Sequence, residues 1–203
     1  MSARSIRYWL TRVIIVAACL CVLYFLALFA LLRFPFHAFP HTLQTRHLTA
    51  YSDQAIDQKL AAHLQNVETR LAAMPLHRPD ARYRVFLAHD QKNYRFYASL
   101  VRLNPQSQGF AVGLAGNIFV SVSTIQNIAD RYGQDFEGTL LEGSVAHIIA
   151  HEIAHMHIGR ELGFWRERQL VGWIKEGFAE YNAEVVAIRR ESFEKFFRRV
   201  HHK

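Results

Sequence analysis

Cysteine is nearly missing from this chain: only Cys19 and Cys21 occur in 203 residues. Both fall inside one apolar run, so the rest of the chain has no disulfide to hold it, and the count says nothing of its redox compartment. Internal repeats and low-complexity tracts are absent too. So are helix-turn-helix, zinc-finger and RNA-binding signatures, and the net charge of +7 with His neutral therefore does not point to nucleic acid. Much of that charge is local. Arg189, Arg190, Lys195, Arg198, Arg199 and Lys203 crowd the C-terminus against Glu191 and Glu194. This pattern reads as a solvated basic helix face, with contact to anionic lipid headgroups as the sharper alternative.

Missing charge is informative elsewhere. The run from Val13 to Leu32, VIIVAACLCVLYFLALFALL, carries none. Twenty such residues make roughly 30 Å of helix, the thickness of a bilayer's hydrocarbon core. The run is longer than a signal-peptide core of about 7–15 residues, and its small-residue pair Ala17-Ala18 lies within it, so an uncleaved anchor is expected. Arg4, Arg7 and Arg12 precede it, whereas Arg33 and Arg46 follow. That balance favours a cytoplasmic N-terminus (residues 1–12), a single span (13–32) and an exported remainder, periplasmic if the source is a bacterium.

Residues 33–51 hold Pro35, Pro40 and three histidines without clean periodicity, and read as a juxtamembrane linker. The folded domain is then expected over 52–203. Ser52 can cap a helix reaching Met74, with Ile56, Leu60, Leu64, Val67 and Leu71 at helical spacing and Pro75 beyond its end. Tyr83, Val85 and Leu87 alternate with Arg82, Arg84 and Phe86, a strand pattern. Strands are also expected over 109–114 and 117–122, joined by a tight turn at Gly116-Asn117. The second of these is a candidate edge strand. Thr124 can cap a short helix stopping near Gly133. Residues 143–158, GSVAHIIAHEIAHMHI, read as a helix capped by Ser144 and stopped at Gly159. After a loop over 160–172, a second long helix runs from Trp173 to about Arg190, and Phe193, Phe196, Phe197 and Val200 continue an apolar stripe. Helix, small mixed sheet, then helices makes an α+β domain.

Within the first of these late helices stands His151-Glu152-Ile153-Ala154-His155, the pattern H-E-x-x-H. Positions i and i+4 share one helix face a turn apart, so two imidazoles there can grip one zinc ion. Glu152 lies about 100° round the helix from His151, so it can reach a water at the metal without being a ligand. A catalytic zinc takes three protein ligands and keeps one open position. Glu176, in Trp173-Ile174-Lys175-Glu176-Gly177-Phe178-Ala179-Glu180-Tyr181, can supply the third from the next helix. Twenty residues separate it from His155, enough to turn and pack antiparallel, and the small Gly177 and Ala179 suit close helix approach. His147, a turn before His151, is expected to line or support the cleft, because a fourth ligand would close the site. His157 points away from the pair, and Tyr181 is expected to pack.

H-E-x-x-H followed by Glu-Gly-Phe-Ala-Glu-Tyr resembles the gluzincin metallopeptidases, over about residues 117–184. The resemblance implies zinc held by His151, His155 and Glu176, with Glu152 as general base. It also implies a hydrogen bond from a ligand His to Glu180, four positions after the ligand Glu. Gly113-Leu114-Ala115-Gly116-Asn117 is faintly similar to the G-A-M-E-N strand of the zinc aminopeptidases. Gly116 stands where that motif has its amine-binding Glu, so endopeptidase or oligopeptidase action is expected. The implied activity is zinc-dependent hydrolysis of peptide bonds in a peptide or protein substrate. The competing expectation is a non-catalytic zinc-binding envelope protein that binds a protein partner.

Overall fold

A mixed five-stranded sheet carries the folded part of the molecule. A computed structural model describes residues 3–132 and 144–184. It divides into two units, residues 1–35 and 36–203. The first is a single helix, α1 (Ala3–Arg33), of which Tyr8–Arg33 is long and apolar enough to cross a membrane. Its large apolar side chains from Val13 to Phe25 are exposed.

The second unit begins with a 3-10 turn at Phe36–Ala38, followed by β1 (His41–Gln44) and β2 (Leu48–Ser52). Residues 33–51 are therefore not a linker. Their short strands escape a periodicity reading because β1 has only four residues, none fully buried. Next come α2 (Gln58–Ala73), β3 (Tyr83–Ala88), α3 (Gln91–Leu100), β4 (Gly109–Val112) and β5 (Asn117–Ser121). After them come α4 (Val122–Tyr132), α5 (Val145–Gln169) and α6 (Gly172–Glu184). The domain is α+β, and its sheet order is β1-β2-β3-β5-β4. β1 pairs antiparallel with β2, β2 and β5 pair parallel with β3, and β4 pairs antiparallel with β5.

The sheet is covered on both faces, and period-2 side-chain alternation sorts residues between them. Val85, Leu87, Ile118 and Val120 share an apolar core with Leu60, Leu64, Val67 and Leu71 of α2 and Ile149 and Ile153 of α5. Phe86 and Phe119 point the other way. Phe119 stacks on Phe86, Tyr97 and Phe110 at centroid separations of 5.1, 4.9 and 5.0 Å. Burial on both faces explains why β3 is apolar from Val85 onward rather than strictly alternating.

Several boundaries differ from expectation. Asp57, not Ser52, caps α2, its carboxylate accepting from Leu60 N–H at 2.7 Å. Ser52 is used by β2. Ser121 Oγ, rather than Thr124, accepts from a backbone N–H (that of Thr124) at the start of α4. Gly159 does not stop α5. The helix runs on to Gln169 and breaks only at Gly163, where φ is +75° and ψ 161°. A glycine costs an interior helix about 1 kcal/mol, and it terminates one only where the chain needs a left-handed residue. Here that residue is Gly163. The strand β5 is interior, and the edge beside α5 belongs to β4. Expectations at Gly133, at Gly143, beyond Glu184 and for the basic tail fall outside the described residues.

A half-buried carboxylate fastens α2 to the β1–β2 connection. Glu68 accepts from the Thr45 hydroxyl, from His47 N–H at 2.8 Å and pairs with His47 Nδ1 at 2.5 Å. Two residues further along the same helix, buried Arg70 donates to the Ala183 carbonyl of α6 and to Asn66 Oδ1. The helix that packs under the sheet thus also holds the end of the helix carrying Glu176 and Glu180.

Candidate metal centre

α5 begins at Ser144, whose Oγ accepts from His147 N–H at 3.1 Å. Ile149, Ala150, Ile153 and Ala154 are fully buried and fix the helix's rotation against its neighbours. The opposite rows then carry His147, His151 and His155, each one turn from the next. α6 packs on α5 through Ala154, Ile158, Phe178 and Ala179. Ala179 is buried in that contact. Gly177 is exposed, and a Cβ on it would meet nothing within 4 Å, so the close approach does not depend on it.

This packing brings three donor atoms together. His151 Nε2 and His155 Nε2 are 3.1 Å apart. Glu176 Oε2 lies 3.4 Å from the first and 3.5 Å from the second. In tetrahedral coordination with bonds of about 2.0–2.1 Å, donors stand about 3.3–3.4 Å from one another. The three atoms therefore have the spacing of one face of such a tetrahedron, and the group could hold a metal ion. Two imidazoles and a carboxylate also make a donor set suited to zinc.

Glu180, one turn beyond Glu176 on α6, bridges two histidines. Its Oε2 is 2.8 Å from His151 Nδ1, and its Oε1 is 3.1 Å from His147 Nε2. A carboxylate on Nδ1 fixes the proton there and leaves the Nε2 lone pair facing the other donors. His147, His151 and Glu180 form a second group close enough to share an ion. The short, paired contacts to Glu180 make it a hydrogen-bonded support for His151 in the present arrangement. His147 is buried, and burial, foremost, lowers its pKa against the opposing pull of Glu180. Its link to Glu180 carries information the sequence did not offer beyond a shared helix face.

Burial, and then the His151 ring, lower the pKa of His155 to about 4 despite Glu176. It is therefore neutral near pH 7, as a ligand must be. Glu152 is buried at 8 % exposure. Burial, with the Glu176 charge second, pushes its carboxyl up to about 8, and a hydrogen bond from Ala111 N–H opposes the shift. The Glu176 charge acting on buried Glu152, beside the His155 ring whose pKa burial lowers, makes an electrostatic surrounding that a cation would complete.

The Ala111–Glu152 bond comes from the side of β4 that does not pair with β5. The strand approaches α5 so closely that a Cβ on Gly109 would lie 2.7 Å from Ile148 Cγ2 and 3.3 Å from both Cγ and Oε1 of Glu152. Gly109 and Ala111 are thus part of the site. No local motif marks them, since which strand lies beside α5 follows from sheet order alone.

His157 faces away from the ligand cluster. Its Nε2 is 2.7 Å from the Tyr83 hydroxyl, and burial, aided by Arg160, His77 and Arg78, lowers its pKa to about 3. It is a neutral packing histidine that joins α5 to β3. Tyr181 is half-buried against the Ala154–Phe178 cluster.

No protein-family model matches the chain, and a search of curated proteins finds no significant match.

Proposed function

We infer that the chain is a membrane-anchored zinc metallopeptidase of gluzincin type, with a zincin-like domain cutting peptide bonds in extended protein segments. The observation that carries this reading is the triangle of His151, His155 and Glu176 donors, with edges of 3.1, 3.4 and 3.5 Å beside a buried Glu152. In this reading α1 spans the bilayer with its N-terminus in the cytoplasm, following the Arg4, Arg7 and Arg12 excess.

His151, His155 and Glu176 would hold a zinc ion, which would supply Lewis acidity and lower the pKa of water at the site toward about 7. Glu152 takes a proton from the attacking water and delivers it to the leaving amine. Its buried position beside Ala111 N–H keeps the carboxylate in one orientation for both transfers. Glu180 holds the His151 ring in place. The edge of β4 away from β5, unpaired among the described residues, offers backbone groups on which an extended substrate can add as a further strand, running past Glu152.

Purified full-length chain should bind about one zinc, as in three-ligand catalytic sites, and cleave peptides from a mixed library, losing activity on chelation. Glu152→Gln should keep the zinc and lose turnover, whereas His155→Ala should lose both. Equal turnover by Glu152→Gln and the parent, or a purified chain without affinity for zinc, refutes the reading.

A further inference from the structure

The break in α5 at Gly163 turns the chain back, and the Glu167 carboxylate comes to rest on Gly159. A Cβ on Gly159 would lie 2.9 Å from Glu167 Oε2, so that oxygen fills the space a side chain there would take. Gly159 follows His155 by four residues and Glu152 by seven. At 100° per residue it falls between their two rows on the helix surface, about 6 Å beyond His155 along the axis. The carboxylate therefore stands over the same face of α5 that carries the metal site. Glu167 is half-buried, and among the described residues its carboxylate has no hydrogen bond or ion pair. Arg160, next to Gly159, is engaged with Glu161 and the Leu76 carbonyl instead. The last turn before a helix break carries the negative end of the helix dipole, which favours a cation there and not a carboxylate.

The other helix brings an aromatic ring to the same end. Glu180 meets His147 and Glu176 meets His155, so α5 and α6 run antiparallel, and one further turn on each leads to Gly159 and to Trp173. Trp173 precedes Glu180 by seven residues, which places it within about 20° of the row that faces the histidines. It is 75 % exposed. We propose that Glu167 and Trp173 form a recognition site for a cationic nitrogen of the substrate, a Lys or Arg side chain or a free N-terminal amine. The proposal rests on the peptidase reading and deepens it. The carboxylate accepts a charge-assisted hydrogen bond from the cation, and the indole face takes its alkyl stem and its charge. About 6 Å from the His155 level corresponds to two residues of extended peptide, so the cationic residue stands within two positions of the bond that is cut.

Full-length, zinc-loaded chain in detergent is given a library of random decapeptides, free or acetylated at the N-terminus, and the cuts are read by mass spectrometry. The site predicts Lys or Arg enriched within two positions of the cut if it takes a side chain. If it takes the terminal amine, cuts fall within two residues of a free N-terminus and vanish on acetylation. Glu167→Gln should lower kcat/KM for these cationic substrates about 10–100-fold, the size of a lost hydrogen bond to a charged group, and leave uncharged ones unaffected. Glu167→Lys should turn the preference toward Asp and Glu, which a merely structural residue would not do. Both positions are partly or largely exposed, where substitutions cost little stability. Binding is measured separately on Glu152→Gln, by anisotropy of C-terminally labelled decapeptides with one lysine or norleucine in its place, each free or acetylated. The cationic peptides should bind more tightly, and lose that advantage in Glu152→Gln/Glu167→Gln. Cleavage without a cationic preference, or with the same preference in Glu167→Gln and Glu167→Lys, overturns the site and leaves the peptidase standing. Glu167-dependent binding to a chain whose zinc-loaded parent cuts nothing keeps the site and overturns the peptidase. Neither cutting nor binding overturns both.

Discussion

Gly109→Ala adds one methyl group where β4 meets α5. The new Cβ would fall 2.7 Å from Ile148 Cγ2, and 3.3 Å from Cγ and Oε1 of Glu152. Neither neighbour yields easily. Ile148 is β-branched on a helix, so its χ1 is held in essentially one rotamer. Glu152 is buried and tied to Ala111 N–H. The strand must therefore retreat from the helix, which costs about 1–3 kcal/mol for an overpacked contact. For a domain of this size that is a fall in Tm of about 2–12 °C. The retreat also lengthens the Ala111–Glu152 bond, so turnover should drop further than stability alone dictates. Thermal unfolding in detergent, together with peptide cleavage measured well below Tm, reads both effects. Gly113→Ala, whose Cβ meets nothing within 4 Å, is the control. Ile148→Ala in the Gly109→Ala background should restore part of the lost Tm by removing the nearest atom. A Gly109→Ala chain with parental Tm and parental cleavage refutes the close packing, and equal damage from Gly113→Ala refutes its location.

Glu180→Ala should weaken zinc affinity about 10–100-fold, the usual effect of losing a ligand's hydrogen-bond partner; competition with a fluorescent chelator reads it, and unchanged affinity refutes the role. The Glu68 carboxyl is governed by burial, which raises its pKa, but hydrogen bonds from Thr45 and His47 outweigh that and hold it below the ordinary 4.5. A carboxyl depressed in the fold stabilises it fully above the unfolded value and loses that contribution as pH falls through the folded value. Stability should therefore decline from about pH 5 downward. Glu68→Gln should cost about 1–3 kcal/mol at neutral pH and flatten the decline, whereas parallel pH profiles for variant and parent would contradict the assignment.

What the sequence discloses here divides along a physical line. Distances within a helix follow from 1.5 Å and 100° per residue, so His151 and His155 could be placed on one face, and Glu176 and Glu180 on another, from spacing alone. Caps at Ser144 and the strand at Tyr83–Ala88 are equally local, and both occur. Relations between elements are not local. β1 and β2 were hidden in a segment rich in proline and histidine, and α3 drew no expectation at all. The edge strand was sought at 117–122 because the sequence does not say that β5 pairs on both sides, with β3 and with β4. Gly159 looked like a stop and Gly163 did not, although both are glycines in the same helix. Only the turn toward α6 selects which one takes a positive φ.

The same division explains why one carboxylate was foreseeable and its neighbour strand was not. Glu152 is specified by its place one residue after His151. Its working environment is specified by Gly109 and Ala111, more than forty residues earlier in the chain, through a parallel pairing of β3 with β5 and an antiparallel return to β4. A site whose ligands sit on two adjacent helices but whose base is set against a sheet edge needs the whole sheet to form in register. Slipping β4 by one residue turns every side chain to the other face. It would move Gly109 away from Ile148 and bring a side chain into the gap. The metal triangle could survive that slip, since it depends on α5 and α6 alone. Zinc binding and cleavage should therefore be separable by mutations in β4, with affinity retained and turnover lost.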